Sequence, residues 1–388
     1  MNAPDPIPLA RPQLGERESE LVLEVLRSGR LSLGPMLERF ERLFAERIGV
    51  AHAVGVSSGT AALHLGVRAV GWGSGDEVVT SPFSFVASAN CLLYEDVEPV
   101  FCDVDPVTLN LDPGAAWEAI SERTAGILPV DIRGYPAALP AIEKIAAEGD
   151  LGLLEDACEA LGATDADGVE VGARGHPATF AFYANKQLTT GEGGMLTTAD
   201  PDVAKRVRSE RNQGRAPNMS WVDHERIGFN YRLTEVQAAL GIAQLERLDE
   251  MLAARGRAAQ LYRERLTALD YGAQAGEGDP AGLLLPCADR DAERRSWFVY
   301  AVRLPAGADR DAVVAGLAQR GVEAKAYMPS IHLMPHIRER FGYREGQFPV
   351  AEDASSRLLA LPFFPAITES QIDRVCEAIA EALRGNWT

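Results

Sequence analysis

Short apolar runs recur through the first half of this chain, at Ala53 to Val56, Glu77 to Thr80, Val100 to Val104, Gly126 to Val130, Leu151 to Leu154, Thr179 to Phe182 and Met195 to Thr198. Segments of helical periodicity separate most of them, which constrains the chain to an α/β fold built on a mostly parallel sheet. The last two runs leave no room for a crossover helix, so the final strand is expected to return antiparallel. Ligand sites in open sheets of this kind form at the C-terminal edges of the strands. The residues that follow each run are therefore where chemistry is to be sought.

The run ending at Phe182 leads into Tyr183-Ala-Asn-Lys-Gln-Leu-Thr-Thr-Gly-Glu-Gly-Gly-Met195, where the glycines at 191, 193 and 194 turn the chain back. Lys186 is thus held at the end of a buried strand. Desolvation favours the neutral form of an amine, which can attack a carbonyl to form a Schiff base. Few other residues could do this, because only four lysines, at 144, 186, 205 and 325, stand among the 38 basic residues. Lys144 and Lys205 fall on predicted amphipathic helices as ordinary charged positions. Lys325 lies in a short alternating run that suits a half-exposed strand.

The run Leu151-Gly-Leu-Leu-Glu-Asp156 delivers two carboxylates to the same sheet edge. A pyridine-ring cofactor bound to Lys186 needs a carboxylate at the ring nitrogen to keep it protonated as an electron sink, and Asp156 is the candidate. Asp156 or Glu155 also suits the cap of a helix over 157–161, and both readings can hold together. Further upstream, residues 53–66 read as a short strand, a Ser-Ser-Gly-Thr turn and a helix with apolar positions at 63, 67 and 70. A helix N-terminus binds phosphate through free N–H groups. Gly59 allows close approach, while Thr60 and Ala61 would present N–H groups, with the Thr60 hydroxyl as a further donor. The same pattern also serves a helix that is merely capped.

With Gly75-Asp-Glu-Val-Val79, Ser81-Pro-Phe-Ser-Phe-Val-Ala-Ser-Ala-Asn90 and Gly228-Phe-Asn-Tyr-Arg-Leu-Thr-Glu-Val-Gln-Ala-Ala-Leu-Gly241, these segments carry a resemblance over nearly the whole chain. The chain resembles the DegT-like (DegT/StrS) pyridoxal-phosphate-dependent sugar aminotransferases of fold type I, which include the perosamine synthases. The resemblance implies a mostly parallel seven-stranded sheet in a large domain, a smaller α+β C-terminal domain, pyridoxal 5'-phosphate as cofactor and a homodimer with shared active sites. It makes Lys186 the cofactor lysine and proton shuttle, and Asp156 the partner of the pyridine nitrogen. Phe85 matches the aromatic position that stacks on the ring, where a flat apolar face fixes the ring plane. Asn230 matches an asparagine lent across the dimer interface to the cofactor phosphate. His332 matches a histidine near the sugar-nucleotide pocket.

Two positions depart from the usual family pattern. Ala181 stands where relatives usually carry a phosphate-binding serine, so one contact must come from elsewhere. Glu159 stands where relatives often place glutamine or histidine against the cofactor's phenolic oxygen, a departure that the resemblance shares with perosamine-type members. Two anions at that point repel unless one is protonated.

Composition fits this reading. A chain of 388 residues is long enough for two domains with ample buried surface. The formal net charge of −18 argues against nucleic-acid and membrane partners, so an anionic sugar nucleotide needs a local arginine cluster, and Arg211, Arg215 and Arg232 flank the best loop for it. The five cysteines show no paired spacing, which suits buried thiols in a reducing cytoplasm. The N-terminus lacks the features of a signal peptide and no apolar stretch approaches membrane-spanning length.

Thr234 and Gln237 form a capping box that opens a long helix, whose apolar positions 236, 240, 245, 248 and 252 mark a buried face. The domain transition is placed along it, giving a cofactor-binding domain over 1–250 and a small domain over 251–388. The latter is expected to hold a strand over 297–304, an exposed loop over 271–282 and a closing helix capped by Thr368 and Gln371. Gly71 to Gly75, Asp103 with Asp105, and His332 with His336 lack the context of phosphate, calcium or zinc sites, so no metal is expected. The expected activity moves an amino group from glutamate or glutamine to the keto carbon of a nucleotide-linked sugar. Amination of a cyclitol or another ketone, or a regulatory protein that binds the cofactor without turnover, are the alternatives. A sugar-dehydrating relative is disfavoured, because those enzymes carry histidine in place of the lysine.

Overall fold

The computed structural model describes residues 5–216, 223–269, 272–274 and 282–384. Eight short strands build the first half: β1 (His52–Val56), β2 (Glu77–Thr80), β3 (Glu98–Phe101), β4 (Thr124–Leu128), β5 (Gly152–Leu153), β6 (Glu155–Asp156), β7 (Ala178–Ala181) and β8 (Gly194–Thr198). They form two ladders, in the orders β1-β8-β7-β6 and β3-β2-β4-β5. The ladders join because β5 and β6 are two halves of one strand. Leu154 N between them donates to Ile127 O, Asp156 N to Pro129 O, and Asp131 N to Asp156 O. The result is the seven-stranded sheet expected from the sequence, with β8 the one antiparallel strand.

The sheet forms where the apolar runs predicted it, shifted by up to three residues at their ends. Phe180 and Phe182, two residues apart, project to one face and meet Phe40 and Phe44 from the helix Pro35–Ile48 at ring-centroid separations of 5.1 to 5.6 Å. The helix Glu235–Glu246 closes this layer. Its capping box forms as predicted, Gln237 N donating to Thr234 Oγ1 and Thr234 N to Gln237 Oε1. Its buried face differs from the predicted one: Ala238, Ala239, Ile242 and Ala243 are buried, while Val236, Leu240 and Leu245 are half-exposed. Small side chains let the helix sit close, and a Cβ on Gly241 would lie 2.5 Å from the Phe40 ring. The helix also breaks at Arg247 before continuing as Leu248–Ala268.

A second sheet in the order β12-β13-β11-β10-β9 comprises β9 (Gly272–Gln274), β10 (Leu283–Leu285), β11 (Tyr300–Arg303), β12 (Lys325–Ala326) and β13 (Leu358–Leu361). Ala258, Ala259, Tyr262 and Leu266 of the preceding helix pack on it with Ile372, Val375 and Ile379 of the closing helix Glu369–Arg384. Thr368 and Gln371 cap that helix as expected. Three expectations change. The strand over 297–304 begins only at Tyr300, leaving Trp297 and Phe298 outside the ladder. The loop over 271–282 contains β9, paired parallel to β10, and its residues 275–281 lie outside the described ones. The helix over 157–161 is a pair of turns. One apolar core, including Leu63, Leu128 and Leu154 with Tyr327, Ile331 and Leu358, unites the two sheets.

Candidate active site

At the C-terminal edge of the first sheet a cavity of about 400 Å³ is lined by, among others, Gly59, Thr60, Phe85, Asp156, Glu159 and Lys186. The residues expected to do chemistry therefore converge from four separate stretches of chain. β6 ends in Asp156, the turns after it carry Glu159, and the return loop between β7 and β8 carries Lys186. The helix Gly59–Val70 aims its N-terminus at the same space.

Lys186 Nζ lies 3.6 Å from Glu159 Oε1 and 4.0 Å from the centroid of the Phe298 ring. Glu159 is fixed by its other oxygen, which accepts from Arg133 N at 2.9 Å and from the Tyr327 hydroxyl at 2.6 Å. Burial, and then the neighbouring Glu159, push the Tyr327 phenol well above its ordinary range, so it stays a donor. The loop that carries the lysine is clamped. Gln187 Nε2 donates to the Glu159 and Ser296 carbonyls, and the buried Arg255 guanidinium reaches the carbonyls of Lys186 and Phe298 at 3.3 and 3.1 Å. Burial alone lowers Arg255 to about 10.

Asp156 accepts from the Ser88 hydroxyl at 2.6 Å and from Cys158 N at 3.2 Å. The second bond closes a turn rather than capping a helix. Behind it, on the same strand, Glu155 is fully buried, bonded to the part-buried His176 and close to the buried Asp131. Burial opposes a charged imidazole at His176, but hydrogen bonds to Glu143 and Glu155 outweigh it and raise the ring to about 9. Burial and then Glu155 hold the Asp131 carboxyl well above the usual carboxylate range.

At the helix start, Ser58 Oγ accepts from Ala61 N at 3.1 Å, and Ala62 N opens the helical ladder by donating to Ser58 O. Ala61 was expected to present its N–H to a phosphate; that group is taken by the cap, and Ala61 is buried outside the cavity wall. Gly59 and Thr60 line the cavity. A Cβ on Gly59 would lie 2.7 Å from Ala181 Cβ, so glycine is required for the helix start to approach the end of β7.

The remaining predicted residues are placed differently. Phe85 lines the cavity and is 59% exposed. Asn230 is exposed and bridges to Asn212, and Arg232 donates to Asn212 Oδ1 at 3.0 Å. Arg215 lines a separate cavity of about 270 Å³ with Lys205, Arg208 and Arg226. His332 is fully buried, bonded to Glu352 at 3.0 Å and packed edge-on against Phe348, and burial lowers its pKa. It is not among the residues lining the 400 Å³ cavity. Ser88, Tyr327, Phe298 and Arg255 were not anticipated from the sequence. Only Ser88 lay within a quoted motif.

The family model described as "DegT/DnrJ/EryC1/StrS aminotransferase family" matches residues 12–380. The chain belongs to this family and is an aminotransferase of fold type I. It is 38% identical over 381 residues to the GDP-perosamine synthase of Caulobacter vibrioides, covering 97% of this chain and 98% of that protein. It is 35% identical over 392 residues to the spore coat polysaccharide biosynthesis protein SpsC of Bacillus subtilis, covering 98% and 97%. Among solved structures it matches DesV of S. venezuelae with a TM-score of 0.86 and 34% identity over 94% of each chain. Among the described residues no helix is long and apolar enough to cross a membrane.

Proposed function

We propose that this aminotransferase moves an amino group from glutamate or glutamine to the keto carbon of a nucleotide-linked sugar, with pyridoxal 5'-phosphate in the sheet-edge cavity. The convergence of Lys186, Asp156 and Glu159 on that single cavity carries the reading. The cavity suits the group. Gly59 brings backbone amides close, and Asn185 Oδ1 is buried without a protein partner among the described residues, leaving an acceptor for a ligand. When bound, the cofactor supplies the electron sink for a carbanion at the amino-acid α-carbon.

Lys186 would hold the cofactor, and its Nζ would take and return the α-proton. Asp156 would keep a proton at the ring nitrogen, and Phe85 would offer its flat face to orient the ring. Glu159, fixed by Arg133 N and Tyr327, faces Nζ and holds it as the proton arrives. Asn230 serves the cofactor phosphate of the partner subunit in a homodimer, which accounts for its exposure in one chain. Arg215 and Arg232 are the candidate partners for the anionic part of the substrate. The relationship to a GDP-perosamine synthase supports the sugar-nucleotide class.

The test incubates the holoenzyme with a panel of keto-sugar nucleotides, free keto-cyclitols and either donor, with products read by mass spectrometry. Amino-sugar nucleotides are expected. Turnover of cyclitols alone would overturn the substrate class, and cofactor binding without any half-reaction would favour a non-catalytic binder.

A further inference from the structure

Asp156 is held from the side by one buried hydroxyl, itself bonded to a second, and no part of the reaction described above uses either. Ser88 Oγ lies 2.6 Å from Asp156 Oδ2, and Ser84 Oγ lies 2.7 Å from Ser88 Oγ. Both serines border the cavity, yet each is at most 2% exposed. The direction of this chain follows from donor counting. A carboxylate only accepts and a serine hydroxyl has one hydrogen to give. Ser88 therefore donates to Asp156, and the Ser84–Ser88 bond must be donated by Ser84. Hydrogen bonds in such a chain polarise one another.

We infer that Ser84 and Ser88 form a directed hydrogen-bond relay that positions the Asp156 carboxylate, with Ser88 as a positioning residue for the reaction. The backbone of Asp156 is already fixed by its bonds to Pro129 O and Asp131 N. Cys158 N donates to Oδ1 at 3.2 Å and Ser88 to Oδ2, so Ser88 sets which way the second oxygen turns. The placement has a further consequence. Ser88 belongs to the helix Ala87–Leu93, which begins two residues after Phe85. One short segment thus sets both the aromatic face and the orientation of the acid, so that the two are registered to each other.

The inference rests on the reading that Asp156 faces the ring nitrogen of pyridoxal phosphate. The test uses purified holoenzyme of Ser88→Ala, Ser88→Thr, Ser84→Ala, the Ser84→Ala/Ser88→Ala double variant and Asp156→Asn. Two readouts besides activity are taken: the rate at which cofactor is lost on dilution, and the pH at which its visible absorbance titrates. Removing a hydrogen bond to a charged group is expected to speed cofactor loss about tenfold in Ser88→Ala and to move the titration, while Ser88→Thr restores both. Ser84→Ala is expected to act more weakly and to add nothing once Ser88 is alanine, because coupled residues are non-additive. Wild-type behaviour of Ser88→Ala, failure of threonine to restore it, or independent, additive effects of the two serines would each overturn the relay. Ser84→Ala carries the test if Ser88→Ala does not fold, since an unchanged Ser84→Ala protein also overturns it. A disturbed Asp156→Asn with unaffected serine variants sinks the relay alone, whereas an undisturbed Asp156→Asn sinks the reading beneath it.

Discussion

Lys186 and Asp131 show how much one residue can carry in this chain. Lys186→Ala is expected to abolish transamination and covalent cofactor retention while leaving the far-ultraviolet circular dichroism unchanged. Full activity in a folded variant would contradict the assignment. Glu159→Gln removes the anion 3.6 Å from the lysine and is expected to shift the pH at which the cofactor absorbance titrates; an unchanged curve would show that Glu159 does not act on that site. Asp131 makes a different kind of claim. Its Oδ2 and Glu155 Oε1 are both buried without a donor among the described residues, and a proton on Asp131 shared with Glu155 resolves both. The folded state then holds a proton that the unfolded chain releases above about pH 3.9. That contribution is fully present below this value and is lost as pH rises through the higher folded pKa. Asp131→Asn mimics the protonated acid, so its urea stability is expected to fall less than that of the wild type between acid and alkaline pH. Parallel curves would refute the shared proton.

At the scale of the element, Glu235 joins two helices that are far apart in sequence. It opens Glu235–Glu246, yet its carboxylate accepts from Gly34 N, Met36 N and Leu37 N at 2.9 to 3.1 Å, at the start of Pro35–Ile48. The residue is 1% exposed. Three N–H donors at a helix N-terminus lose their acceptor in Glu235→Ala, which is expected to lower stability by at least ~3 kcal/mol in urea denaturation. A loss below ~1 kcal/mol would mean that water replaces the carboxylate readily.

For the whole molecule, the expectation is a dimer whose sites draw on both chains. Phe85 and Tyr183 line the cavity and remain more than half exposed in one chain, and Ile227 beside the Asn230 segment is 75% exposed. Large apolar groups left open around a site mark a surface that a partner covers. Mixing inactive Lys186→Ala subunits with Asn230→Ala subunits is expected to restore activity, because one of the two shared sites escapes both lesions. Verified subunit exchange without recovery, or a fully active monomer, would overturn the shared-site arrangement.

What the sequence determined by itself was the sheet and which residues stand at its edge. Short apolar runs bounded by local turn signals dictate buried strands whatever surrounds them, and Lys186 and Asp156 are legible because each stands within a few residues of the end of such a run. The capping boxes at Thr234 and Thr368 were legible for the same reason, being contacts across three residues. The tertiary structure decided everything that depends on approach between distant segments. Tyr327 meets Glu159 across 168 residues and Arg255 reaches Lys186 across 69, and no local pattern marks either partner. Packing also chose which face of Glu235–Glu246 is buried, since the close contact at Phe40 selects for small side chains over the larger apolar stripe. His332, matched to the substrate pocket by its motif, is turned inward by the fold onto Glu352 and Phe348, where burial and ring packing set its surroundings.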